Sequence, residues 1–160
     1  MIKIRITLES KQDFIRELVI DKNLSLEDLH KYIITELELN EFEMASFYLS
    51  DSQLNLGEEI SLFDVSDKKD KCRVMSQVTI SSVLNSNSSE LIYIYDFFHM
   101  WRFYVQFIEN TDEINKNKLI SIGEIPNKAP LIDFEEQNIN DKINHDSYFE
   151  ENFNELNFHE

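Results

Sequence analysis

Two glycines, two prolines and one cysteine among 160 residues leave this chain poor in the residue types that bend, stiffen or cross-link a backbone. Scarce glycine excludes glycine-rich phosphate cradles and collagen-like repeats, and scarce proline excludes proline-rich ligand segments. With Cys72 alone, no intrachain disulfide can form and no thiolate zinc site can be assembled from one chain. Basic residues are also few: 15 Lys and Arg stand against 31 Asp and Glu, a net charge of −16. Nucleic acids are held chiefly by cations on their phosphates, and anionic membrane surfaces by clustered Lys and Arg. The charge balance therefore argues against both direct nucleic-acid binding and membrane docking. No apolar run approaches the roughly 18 residues that cross a bilayer. The opening Met1-Ile-Lys-Ile-Arg-Ile6 alternates like a strand and has no signal-peptide core. These absences predict a soluble cytoplasmic protein, and nothing in the residue pattern implies a cofactor.

What is present suits one globular domain. Hydrophobic residues make up 42% of the chain and aromatics 12%, enough for a sizeable core. Ile2, Ile4, Ile6 and Leu8 alternate with Lys3, Arg5 and Thr7, and Phe14 to Ile20 supplies a second strand, so the chain opens as a β-hairpin. Asn23 and Ser25 offer helix caps, and Leu26, Leu29, Ile33 and Leu37 recur at helical spacing, which predicts a helix over 25–37. Phe42 to Leu49 reads as a third strand. Gly57 then punctuates a loop before irregular structure or a brief strand at Ile60 to Val65, and Asp67 to Lys71 forms a mixed-charge turn. A short helix over Thr79 to Leu84 and an edge strand over Leu119 to Ile122 complete the pattern.

The most informative stretch is Tyr93 to Glu109, two strands joined by a short turn. Leu91, Tyr93, Tyr95 and Phe97 share one face of the first strand. In the second, Trp101, Phe103, Val105 and Phe107 oppose Arg102, Tyr104, Gln106 and Ile108. The sum is an opening β-hairpin, a second hairpin in a core sheet and one principal helix packed on that sheet. Residues 126–160 read as a tail. Positions 131–160 carry nine acidic residues and one lysine, a net of −8 and half of the whole chain's charge. Such composition predicts disorder, yet Phe134, Tyr148, Phe149, Phe153 and Phe158 stud it.

Three stretches carry a resemblance to a known family: the opening hairpin with Leu26-Glu-Asp-Leu-His30, the strand Glu43 to Asp51 continuing to Ile60, and Tyr95-Asp-Phe-Phe-His-Met-Trp101. Together they resemble the plasmid pRiA4b ORF-3-like domain, a set of largely uncharacterised bacterial proteins, in a shorter, acidic-tailed branch. The resemblance implies an α+β domain over residues 1–125, a mainly antiparallel sheet with an opening β-hairpin and one principal helix packed on it, and a context of plasmids and mobile elements. Phe98 stands where the family pattern has glycine, and His99 where it has aspartate, so a different turn geometry is expected.

Asp96 and His99 bracket the turn and lie within hydrogen-bond reach of each other. A carboxylate that orients an imidazole is half of a base-activated nucleophile or of a metal site, and His30, Cys72 or a serine is the candidate third member. The plainer role for Asp96 is to cap the turn backbone. Trp101 and Tyr104, with Phe149 and Phe153 of the tail, are candidates for a ligand or partner surface, although aromatics on alternating strand positions usually form core. The leading expectation is a protein-interaction or accessory domain that engages a protein partner. The alternative is a hydrolase-like or metal-dependent enzyme centred on Asp96 and His99. Mimicry of a nucleic acid by the acidic surface would rest on net charge alone.

Overall fold

In the computed structural model, residues 1–51, 53–64, 72–112 and 120–131 are described. The strands are β1 Ile2–Leu8, β2 Ile15–Ile20, β3 Ala45–Ser50, β4 Leu56–Ser61, β5 Arg73–Val74, β6 Glu90–Tyr95, β7 Trp101–Asn110 and β8 Ile120–Ile122. The helices are α1 Leu26–Glu36 and α2 Ile80–Val83, preceded by a 3-10 turn at Met75–Gln77. All belong to the unit Met1–Pro130. The strands form a single sheet in the order β5-β4-β3-β6-β7-β1-β2-β8. The expected opening hairpin pairs Ile2 with Ile20 through Thr7 with Ile15. The expected second hairpin pairs Glu90 with Gln106 through Tyr95 with Trp101.

Three expectations need correction. The sheet is mixed rather than antiparallel throughout, because β5 runs parallel to β4, with Ile60 beside Arg73. The connection over 62–72 is long enough to return the chain for a parallel pairing, which a tight hairpin cannot do. Second, the strand expected from Phe42 begins only at Ala45, and Phe42 stands in solvent. Third, Leu56–Ser61 is a regular strand, and Gly57 lies inside it. The mixed-charge turn expected over 67–71 and the tail beyond 131 lie outside the described residues.

Helix α1 starts at a reciprocal cap. Ser25 Oγ accepts from Asp28 N at 3.1 Å, and the Asp28 carboxylate accepts from Ser25 N at 3.0 Å. Both bonds satisfy donors that a helix start leaves without intrahelical partners. The segment before α2 is laced to the same end: Leu26 N donates to Val78 O at 2.8 Å and Ile80 N to Leu24 O at 2.9 Å. Leu26, Leu29, Ile33, Ile34 and Leu37 form the buried stripe that faces the sheet, as the helical spacing predicts.

Beneath that stripe runs a row of aromatic rings. Phe47, Tyr93 and Phe103 are register neighbours on β3, β6 and β7 and are fully buried. Their centroids lie 4.7 Å (Phe47–Tyr93) and 6.1 Å (Tyr93–Phe103) apart. Trp101 stacks on Phe103 at 6.3 Å, and Phe14 meets Phe103 edge-on at the same distance. Each such ring contributes about 2–3 kcal/mol by burial, and a well-placed pair roughly 1 kcal/mol more.

The outer face of the sheet is covered in part as well. Ile92 and Ile94 are buried there, so β6 is shielded on both sides and reads as an unbroken apolar run, Leu91 to Tyr95. Arg102 lies over Tyr104 on this face and donates from Nη2 to Leu54 O of the β3–β4 loop at 3.1 Å. Arg102 Nε and Glu9 Oε2 are 3.1 Å apart, an ion-pair distance without hydrogen-bond alignment.

Both glycines sit where no side chain fits. Gly123 has φ +69°, and a Cβ there would come within 1.9 Å of Asp13 O. At Gly57 a Cβ would lie 2.7 Å from Leu49 O, beside the irregular register between Tyr48 and Ser50. Gly57→Ala is expected to destabilise the domain by about 1–3 kcal/mol, since backbone must move to admit the methyl group. Urea unfolding of the two proteins measures this; a midpoint unchanged within error would show that β3 and β4 separate freely there.

Candidate functional site

The turn between β6 and β7 is built by Asp96. Its N–H donates to Met44 O at 2.8 Å and its carbonyl accepts from His99 N (3.0 Å) and Met100 N (2.6 Å). Its Oδ1 accepts from the backbone N–H groups of Phe98 (3.1 Å) and His99 (3.2 Å), and Oδ2 lies 2.6 Å from His99 Nδ1. Asp96 and Met100 adopt φ of +54° and +57°, whereas Phe98 is not among the positive-φ residues. The position where the family pattern carries glycine therefore needs no glycine here. The left-handed strain falls on Asp96, a type that tolerates it, and on Met100, which does not.

Burial pushes the Asp96 carboxyl up, but the bond from His99, the two backbone donors and the imidazole's charge outweigh it, leaving the group below its ordinary value. As an ionised acceptor Asp96 holds His99 Nδ1–H, and the exposed imidazole is left with Nε2 toward solvent. Chemically this is an imidazole oriented by a carboxylate. Among the described residues no hydroxyl or thiol is bonded to His99, and no group of three or more His, Cys, Asp or Glu side chains is placed to hold a metal ion.

His30 is engaged elsewhere. It is buried on α1, with Nδ1 2.7 Å from Tyr93 Oη, so it ties the helix to the aromatic row rather than completing the Asp96–His99 pair. Burial, before the opposing pull of Glu27 and the push of Lys31, sets its pKa below the ordinary 6.5. Cys72 is exposed, and its neighbour Arg73 pairs with Glu58 at 3.2 Å. Trp101 lies on the core face at 9% exposure, while Tyr104 is half-buried on the outer face. Burial, then its bond to Glu9, pushes the Tyr104 hydroxyl up to about 12. Phe149 and Phe153 lie outside the described residues.

The sequence did not single out the residues this turn puts forward. The register places the start of β3, the end of β4, the end of β6 and the start of β7 at one end of the sheet. There Phe98 is 89% exposed, Phe42 86% and Phe63 59%, with Phe97 and Met100 also exposed. The available signal was Phe97-Phe98 itself, since two adjacent aromatics in a turn cannot both alternate into the core.

Comparison with known proteins bears on the whole domain. A family model described as plasmid pRiA4b ORF-3-like protein matches residues 1–135. The crystal structure of a protein of unknown function from Methanosarcina mazei Go1 is similar, with a TM-score of 0.62 at 15% identity over 79% of this chain and 72% of that one. At that identity the likeness shows the fold. No curated protein matches. Among the described residues no helix is long and apolar enough to cross a membrane.

Two outcomes follow for the site. His30 is depressed in the folded state, so below its ordinary 6.5 the unfolded chain binds the extra proton. Its contribution is full above that value and is lost as pH falls toward the lowered one. The urea midpoint is expected to drop between about pH 7.5 and pH 5.5, and His30→Asn to flatten that drop; equal slopes in the two proteins would refute this. Met100→Gly is expected to stabilise the fold by about 1 kcal/mol through relief of its positive φ, and a loss of stability in thermal unfolding would contradict the account.

Proposed function

The chain belongs to the plasmid pRiA4b ORF-3-like protein family, and on that premise we propose that it is a protein-interaction domain whose docking surface is the aromatic end of the sheet. One observation carries this reading: five large apolar side chains, Phe42, Phe63, Phe97, Phe98 and Met100, are exposed at one end of one sheet. The turn among them is held by Asp96 through bonds from the backbone N–H groups of Phe98 and His99. Single exposed hydrophobics are ordinary, but a group of them at one end of a sheet marks a contact surface. Rigid aromatics suit such a role, because they bring contact area at little cost in conformational entropy.

Asp96 and His99 serve this surface by shaping it. Phe98 meets the His99 ring edge-on at 4.9 Å, so the carboxylate that orients the imidazole also steadies the most exposed ring. Site-specific photo-crosslinking tests the reading in the native host. A benzophenone side chain placed at Phe98, Phe42 or Phe63 is expected to yield adducts with one common protein. The same group at exposed Glu109, at the opposite end of the sheet, is expected to yield none. Identical adducts from Glu109, or none from any position, would refute the surface.

A further inference from the structure

Resting on that reading, we propose that the hollow beside the aromatic end receives one basic side chain, arginine or lysine, from an otherwise apolar partner segment. The hollow, of about 220 Å³, lies between α1 and the chain that leaves β4. Leu62 N donates to Ala45 O at 3.1 Å, which puts Leu62 and Phe63 at the same end of the sheet as Phe42 and the Asp96 turn. The apolar part of its lining is Ile34, Leu62 and Phe63.

The polar groups around it are nearly all committed. Lys31 Nζ pairs with Glu27 at 2.6 Å, Thr35 Oγ1 donates to Lys31 O at 2.9 Å, and His30 is bonded to Tyr93. Glu41 differs. It is exposed on the rim, and its carboxylate has no hydrogen-bond or ion-pair partner among the described residues. An uncommitted carboxylate above an apolar wall is complementary to a side chain with a methylene stem and a cationic head. The stem would cover Ile34 and Leu62, and the head would reach Glu41, with the exposed Phe63 ring as a second attraction for the cation. A neutral occupant would leave Glu41 without a counter-charge, and an acidic one would be repelled by it, Glu27 being already paired with Lys31. The net charge of residues 1–130, 14 basic against 22 acidic, acts in the same sense at long range by steering cationic segments toward the domain.

The test uses the full chain and a short synthetic leucine-rich peptide carrying a single arginine, with a twin carrying citrulline in its place. Binding is followed by fluorescence anisotropy at low and physiological salt. The arginine peptide is expected to bind the native chain more tightly than its twin, and Glu41→Gln to weaken only the arginine peptide, by about fivefold. Glu109→Gln makes the same change in net charge at the far end of the sheet and is expected to alter neither affinity. Phe98→Ser is expected to weaken both peptides, since it removes contact area rather than charge. Equal binding of the two peptides, or equal effects of Glu41→Gln and Glu109→Gln, would overturn the basic side-chain site while leaving the aromatic surface standing. Failure of both peptides to bind would overturn the two together.

Discussion

The contact between α1 and the aromatic row is the constraint on which the rest of the domain depends. Phe47, Tyr93 and Phe103 lie side by side on three adjacent strands, and the helix stripe from Leu26 to Leu37 closes over them. Aromatic rings fill the inter-layer space with few rotatable bonds, so they fix the depth of the layer as well as its stability. Within this apolar layer the His30–Tyr93 bond is a polar link between helix and sheet. A hydrogen bond in such surroundings adds orientation, because misplacing either partner leaves a buried polar atom unpaired. Tyr95 extends the same logic to the loop after α1: its hydroxyl accepts from Asn40 N and donates to Asn40 O, both at 3.0 Å.

With the layer set, the end of the sheet has little freedom. The chain must turn from β6 to β7 within Asp96 to Met100 while both strands stay in register, and it does so with two left-handed residues. Asp96 satisfies the turn's donors with its own carboxylate, an arrangement open to a short acidic side chain. The consequence is that Phe97 and Phe98 cannot follow the strand alternation inward. The carboxylate–imidazole pair that suggested catalysis also bonds across this exposed apolar turn, from Asp96 to the backbone of Phe98 and to His99.

The domain's charge gives that surface a direction. Glu41 and Glu43 flank Phe42, and Asp64 follows Phe63, so the apolar end is rimmed by acids. At protein contact surfaces in general, apolar area supplies affinity, whereas rim charges supply selectivity and rate of encounter.

Much of the architecture was legible in the sequence alone. Period-two alternation in Ile2 to Leu8 and in Trp101 to Phe107, and helical spacing from Leu26 to Leu37, specified the hairpins and the helix, because burial of one face leaves a periodic record. Scarcity of glycine was informative too, since each of the two is confined to a place where a Cβ would strike a carbonyl oxygen. The strand order, the parallel β4–β5 pair and the late start of β3 were not legible, because they depend on pairings between residues far apart in the chain. The separation of His30 from Asp96 and His99 was hidden for the same reason: sequence spacing constrains neighbours within an element, and only packing between elements decides which distant side chains meet. The exposed phenylalanines of the sheet end belong with them. Their residue type predicts burial, and only the geometry of the turn and of the strand ends holds them in solvent.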